Sequence, residues 1–234
     1  MKITRGLADH KHAAHPVLTI GNFDGQHRGH LALLQTVVET ATSKGGTPMV
    51  LTFDPHPITI LKSGTELLLL TAPDEKLARF QSAGIEEVLF LEFNQAFAEL
   101  TPDEFVLRIL KDGIGVRDLF VGEHFAFGKG RAGRTADLIR LGARWGFQVH
   151  PVAAMRVDGE VVSSSRIRTS VRADGPSRAG GAPRSDPGLA DRQPSPSPGP
   201  RHPRRRRVCH HGRLERAPLR LGDLPRHAPD LRSR

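Results

Sequence analysis

The chain has 234 residues, a formal net charge of +9, 38% hydrophobic residues and a single cysteine, Cys209. One cysteine excludes a disulfide framework and a cysteine-based metal site, and no stretch reaches the ~18 apolar residues that a membrane span needs. The charge is unevenly placed: residues 173–234 carry +8 and the first 172 only +1, so the body is not expected to be a basic nucleic-acid-binding surface.

Met1 to Pro16 holds charges and histidines but no apolar segment, so no signal peptide is expected and the protein reads as cytoplasmic. Val17-Leu18-Thr19-Ile20 predicts a first β-strand ending at Gly21, where the backbone is free to turn. Leu31, Leu33, Leu34, Val37 and Val38 recur at helical spacing and predict a helix over 29–43, closed by Lys44-Gly45-Gly46. Further strands are expected at 48–53, 87–91, 118–121 and 147–152. A second helix is expected over 74–83, with Asp74 and Glu75 in its first turn and Gly84 as its stop. A third, over 101–111, starts with a capping box, Thr101-Pro102-Asp103-Glu104. A fourth, over 135–145, is expected to be capped by Thr135 and stopped by Gly146. Five strands alternating with helices predict an α/β fold, a doubly wound parallel sheet over residues 1–172.

Ligands of such sheets sit beyond the carboxyl ends of the strands. At the first strand end stand Gly21-Asn22-Phe23-Asp24-Gly25 and His27-Arg28-Gly29-His30. A helix N-terminus binds phosphate through its free N–H groups and dipole. His27 and His30, three apart, are expected on one face of the first turn, donating to one phosphate, and Gly29 leaves room for a nucleotide. The same spacing is also half of a metal site. The second strand runs into Asp54-Pro55-His56-Pro57, a stiff extended loop. The fourth runs into a glycine-rich loop, Gly122 to Gly133, with Phe125 and Phe127 reading either as ligand-facing rings or as core. Gly128-x-Gly130-x-x-Gly133 matches a dinucleotide fingerprint, but after the wrong strand, and the nearest acid at the required distance, Asp158, stands in a turn with Gly159. Nicotinamide binding is therefore not expected. Finally Ser163, Ser164 and Ser165 enter a helix with Arg166 and Arg168, a pattern that suits both a helix cap and a polyphosphate cradle.

From about Ala173 the composition changes abruptly. Residues 173–234 hold 11 of the 18 prolines and the run Arg204-Arg205-Arg206-Arg207, with no Ile, Phe, Met, Thr, Lys, Trp or Asn. Such a segment cannot bury enough apolar surface to offset chain entropy. It reads as a disordered basic tail or as out-of-frame translation of a GC-rich gene, and the abruptness favours the second.

In order and spacing, these segments resemble the bacterial FAD synthetases (bifunctional riboflavin kinase/FMN adenylyltransferases), a branch of the H-x-G-H nucleotidyltransferases with a Rossmann-like fold. The resemblance rests on Gly21-Asn22-Phe23-Asp24-Gly25, His27-x-Gly29-His30, Thr52-Phe53-Asp54-Pro55-His56-Pro57, the loop Gly122 to Gly133, and Ser163-Ser164-Ser165-Arg166-Ile167-Arg168. It departs at His124, where that family has Asp, and at Ser165, where it has Thr. Its kinase-half motif, G-F-P-T-A-N, does not occur in this sequence, so the kinase half reads as missing or scrambled.

The resemblance implies adenylyl transfer from ATP to FMN, with Mg²⁺, and neither nucleic acid nor membrane as partner. It implies His27, His30 and Arg168 as catalytic residues. Gly21, Phe23, Asp24, Gly29, Ser163, Ser164, Ser165 and Arg166 fall to ATP. Asn22, Pro55, His56, Pro57, Phe125, Phe127 and Arg131 fall to the flavin. No metal ligand is assigned; Asp24 is an indirect ligand or a turn residue. Rivals are a phosphopantetheine- or nicotinamide mononucleotide-type transferase, against which the F-D-G and S-S-S-R-I-R strings weigh, and a non-catalytic nucleotide- or nucleic-acid-binding module with a basic tail. No oligomeric state is predicted.

Overall fold

The computed structural model describes residues 1–62 and 67–173. The expectations for the tail concern residues outside that range. The chain runs β1 (Lys2–Arg5), β2 (Pro16–Ile20), α1 (Arg28–Lys44), β3 (Thr47–Phe53), α2 (Pro57–Leu61), α3 (Pro73–Ser82), β4 (Glu87–Leu91) and α4 (Gln95–Ala98). Then α5 (Pro102–Glu104) leads into a π-helical segment (Phe105–Ile114), followed by β5 (Asp118–Gly122), β6 (Ala126–Phe127), a 3-10 turn (Lys129–Arg131), β7 (Gly133–Arg134) and α6 (Thr135–Trp145). The last described elements are β8 (Gln148–Val152), β9 (Arg156–Val157), β10 (Glu160–Val161) and α7 (Ser164–Ala173).

Six parallel strands form the main sheet in the order β1-β4-β3-β2-β5-β8. The five expected strands are all present. The sixth, β1, was not expected: of Lys2–Arg5 only Thr4 is buried, so no hydrophobic period marks it. It gains its structure from pairing with β4, Lys2 opposite Glu87. All five residues of β2 are buried, because helices cover both faces. Leu18 and Ile20 pack on one face with Ile109 and Leu138; Val17 packs on the other with Leu34, Val37 and Phe80. Strand order runs outward from β2 in one direction and from β5 in the other, which puts a topological switch between them.

The helix boundaries follow local chemistry. The capping box forms at Thr101 and Glu104, and Gly146 ends α6 in the left-handed conformation, φ 80°. Thr135 is not the cap of α6 but its first residue. The Asp137 carboxylate accepts from the Arg134 N–H at 3.0 Å instead, and the Thr135 hydroxyl donates to the Glu123 carbonyl at 2.9 Å. That bond ties α6 to the loop after β5.

At the amino end of the sheet Asp118 is 1% exposed. Its carboxylate accepts from Lys44 Nζ at 2.7 Å and bonds to His150 Nε2 at 2.8 Å and His15 Nε2 at 2.9 Å. Burial pushes the carboxyl up, but the hydrogen bonds from Lys44, His150 and His15 outweigh it and lower the pKa from 3.8 to about 2. A folded value below the unfolded one adds stability that is present above the unfolded value and lost as pH falls through the folded one. Asp118→Asn is therefore expected to cost about 2 kcal/mol near neutral pH. That deficit should shrink as pH falls from about 4 towards about 2. Urea midpoints of both proteins across that range check it; a deficit that stays constant contradicts the linkage.

Candidate active site

The segment after β2 turns later than Gly21. The left-handed residues are Phe23 (φ 49°), Gly25 (φ 81°) and Gln26 (φ 31°). Gly21 serves close approach instead: a Cβ there would stand 3.0 Å from the Phe23 ring. Left-handed Phe and Gln cost energy, and the surroundings hold them. Phe23 is 1% exposed and meets Phe80 of α3 edge-on, with ring centres 5.3 Å apart. Asp24 Oδ1 accepts from the N–H groups of Leu70 at 2.9 Å and Thr71 at 3.1 Å. The Gly25 N–H donates to Thr71 Oγ1 at 2.9 Å, and Gln26 Nε2 to the Lys76 carbonyl at 3.1 Å.

His27 is the N-cap of α1, extended rather than helical, so the two histidines do not share a helical turn as expected. They meet nonetheless: their rings stack with centres 3.8 Å apart and planes at 16°. His27 Nδ1 accepts from the His30 backbone N–H at 3.3 Å, which leaves Nε2–H to donate from a neutral ring. Burial lowers the His27 pKa. His30 is lowered from 6.5 to about 3 by burial first and by His27 second, with Asp24 opposing. Its ring also meets Phe23, 5.1 Å between centres, and its Nδ1 is buried without a partner. Near neutral pH the pair is thus a set of neutral donors. Gly29 lies against it: a Cβ there would stand 3.3 Å from His27 Nδ1.

Two cavities open at the switch point. One, about 240 Å³, is lined by His27, Gly29, His30, Leu33, Met155 and Val162 among others. The second, about 460 Å³, is walled by six of the chain's eleven phenylalanines: Phe53, Phe93, Phe97, Phe105, Phe125 and Phe127. Asn22, Pro57 and Arg131 also line it. Phe125 and Phe127 lie parallel, 5.8 Å apart, and Phe53, Phe93 and Phe97 form a mutual cluster at 5.4 to 5.6 Å. Sequence reasoning missed Phe93, Phe97 and Phe105 as wall residues, and took Phe53 only as part of the Thr52–Pro57 string. The spacing of Phe93 and Phe97, four apart at a helix start, was the available signal.

Other expected residues sit apart from the cavity walls. Pro55 is exposed and His56 caps α2, its Nδ1 accepting from the Ile58 N–H at 3.2 Å; neither lines the aromatic cavity, whereas Pro57 does. None of the three serines lines either cavity. Ser163 Oγ accepts from the Arg166 N–H at 3.3 Å, and Ser164 Oγ donates to the Asp24 carbonyl at 2.6 Å. Arg166 pairs with Glu160. Arg168 pairs with Asp24 and donates through Nε to the Leu68 carbonyl at 3.0 Å. Asp24 therefore reads as the joint between the turn, residues 70–71 and α7.

Lys76 was missed altogether. Its Nζ donates to the Asn22 carbonyl at 3.3 Å and to Thr52 Oγ1 at 3.5 Å, joining the ends of β2 and β3. Burial lowers its pKa against the pull of Asp24 and Asp54. An exposed-face lysine of an amphipathic helix gives no sign in sequence that it will turn inward.

Residues 9–166 match the FAD synthetase family. The chain is 35% identical over 176 residues to the bifunctional riboflavin kinase/FMN adenylyltransferase of Escherichia coli (strain K12), covering 74% of this chain and 56% of that protein. It is 39% identical over 178 residues to the enzyme of the same description from Pseudomonas fluorescens, with the same coverage. A solved structure described as a macrolide-efflux protein from Streptococcus pneumoniae superposes with a TM-score of 0.65 at 25% identity, covering 73% of this chain and 56% of that one. The chain spans just over half the length of these relatives.

Proposed function

The chain belongs to the FAD synthetase family, and on that premise we propose that it transfers the adenylyl group of ATP to FMN, yielding FAD and pyrophosphate. The observation that carries this reading is the pair of adjoining cavities, one walled by aromatic rings and one by the stacked histidines, sharing Ile20, Gly21, His124 and Phe125. The aromatic cavity suits the flat apolar flavin ring. The histidine cavity, at the N-terminus of α1, suits the phosphates of ATP. Family membership disfavours the rival transferases.

The FMN phosphate oxygen is already anionic, so no base is needed. It attacks the α-phosphorus; the bond from that phosphorus to the bridging oxygen breaks, and pyrophosphate leaves with the electron pair. The protein's part is alignment and neutralisation of charge at the α-phosphate. The N–H groups of His27 and His30 supply the second. Arg168 is the candidate for the outer phosphates, reached by exchanging Asp24 for them. Among the described residues no group of three His, Cys, Asp or Glu could hold a metal ion, and the Asp24 carboxylate is taken up by backbone N–H groups and Arg168. We therefore assign Mg²⁺ to the substrate, MgATP.

Incubation of the full chain with FMN and MgATP should yield FAD by chromatography; folded protein that releases no pyrophosphate defeats the proposal. Riboflavin and MgATP should yield no FMN, because the G-F-P-T-A-N string of the kinase half does not occur in this sequence. FMN above a blank reverses that reading.

A further inference from the structure

Lys76 lines neither cavity, yet it clasps the turn after β2 at both ends. Its Nζ donates to the Asn22 carbonyl at 3.3 Å, and its own carbonyl accepts from Gln26 Nε2 at 3.1 Å. Between these two points stands Asp24. The second acceptor of Nζ, Thr52 Oγ1 at 3.5 Å, belongs to a fully buried residue. The hydrogen bonds of the ammonium thus go to neutral oxygens, and its charge is left to act on the carboxylates that pull on it, Asp24 and Asp54. Asp54 has a cation of its own, Arg5 Nη1 at 3.0 Å. Among the described residues Asp24 has Arg168 as its one ion-pair partner. His56, the other ionisable group beside this pair, is pushed below its ordinary value by burial first and by Arg168 second, so near neutral pH it brings no charge.

Under the adenylyl-transfer reading, on which this inference rests, Arg168 gives up Asp24 for the outer phosphates of ATP. That exchange strips the cation from a carboxylate only 4% exposed, and a buried charge left alone is costly. We propose that Lys76 is the positioning residue of this exchange: its fixed ammonium balances Asp24 while Arg168 is on the phosphates, and so frees Arg168 to bind them. The repulsion between Lys76 and Arg168 offsets part of the hold of Asp24 on the guanidinium, and the attraction between Lys76 and Asp24 stays when the guanidinium has left. Held through Asn22 and Thr52 at the ends of β2 and β3, the ammonium does not follow Arg168 to the nucleotide. A neutral donor in its place keeps the clasp on the turn but leaves Asp24 holding Arg168.

The test is calorimetric titration of the full chain with MgATP and, separately, with AMP, which has no outer phosphates. Lys76→Gln keeps a donor for the Asn22 carbonyl and removes the charge. It should raise the Kd for MgATP about tenfold and leave that for AMP within about twofold. Unchanged AMP binding also shows that the variant is folded. Lys76→Arg keeps the charge and should stay within about threefold of wild type for both nucleotides. A residue that only shaped the turn would weaken both nucleotides alike when changed to Gln, and that result overturns the proposal. So does a Lys76→Gln variant that binds MgATP as wild type does. In an Arg168→Met background the same substitution should no longer change MgATP binding; a full tenfold effect there contradicts action through Arg168. A wild-type chain that binds no MgATP overturns the adenylyl-transfer reading itself, an outcome distinct from these.

Discussion

His30→Ala is expected to lower kcat of the proposed adenylyl transfer roughly a hundredfold, with KM for FMN and ATP moving far less, the pattern of a donor aimed at charge that develops in the transition state. The ring is held from both sides, stacked at 3.8 Å on His27 and set against Phe23 at 5.1 Å. Burial keeps its pKa at about 3, so near neutral pH the ring is neutral and retains one N–H to donate. His30→Gln keeps an N–H donor in the same place and should fall between the wild type and the alanine variant. Two further consequences follow from the lowered value. The unliganded chain should show no titration of His30 near its ordinary value of 6.5, and NMR of the ring protons between pH 5 and 8 reads this directly. Steady-state FAD formation supplies the rates; an alanine variant within threefold of wild type would remove His30 from the chemistry.

Asp24→Ala is expected to cost about 3–5 kcal/mol of stability, because it strips one partner from a buried ion pair. Asp24 is 4% exposed. The substitution leaves the Arg168 guanidinium without its carboxylate and the Leu70 and Thr71 N–H groups without an acceptor. It also frees the strained turn that carries the residues before His27. Asp24→Asn keeps an acceptor for the N–H groups but no charge for Arg168, and should cost less. Removing both charges in Asp24→Ala/Arg168→Met should recover part of the loss, since the penalty is chiefly that of an orphaned charge. Urea unfolding of the four proteins measures this. A single-variant loss under about 1 kcal/mol would place the pair among weak surface bridges.

Much of the fold was legible in the sequence because it is written in local periods and punctuation. The run Val17-Leu18-Thr19-Ile20, the helical spacing after Leu31, the Thr101–Glu104 box and Gly146 each act within a few residues, and the elements they predict are present. Where a local signal had two readers, tertiary contacts chose. Thr135 could cap a helix, but the Glu123 and Phe125 carbonyls took its hydroxyl. Gly21 could turn the chain, but the approach of the Phe23 ring claims it. Ser164 could face a phosphate, but it donates to the Asp24 carbonyl.

The sequence by itself marked five of the six strands of the main sheet, the long helices between them, their order, and that two histidines stand at a helix start beyond a strand. Only the tertiary structure decided what those segments do to one another. Four phenylalanines from β3, the segment after β4 and the π-helical segment became one wall with Phe125 and Phe127. Lys76 turned inward to the Asn22 carbonyl 54 residues away, and Arg168 found Asp24 across 144 residues. The reason is physical. A hydrogen-bonding period or a capping residue acts over one turn of chain, whereas the partner of a buried charge and the neighbours of an aromatic ring are fixed by sheet order, which brings distant strand ends to one edge.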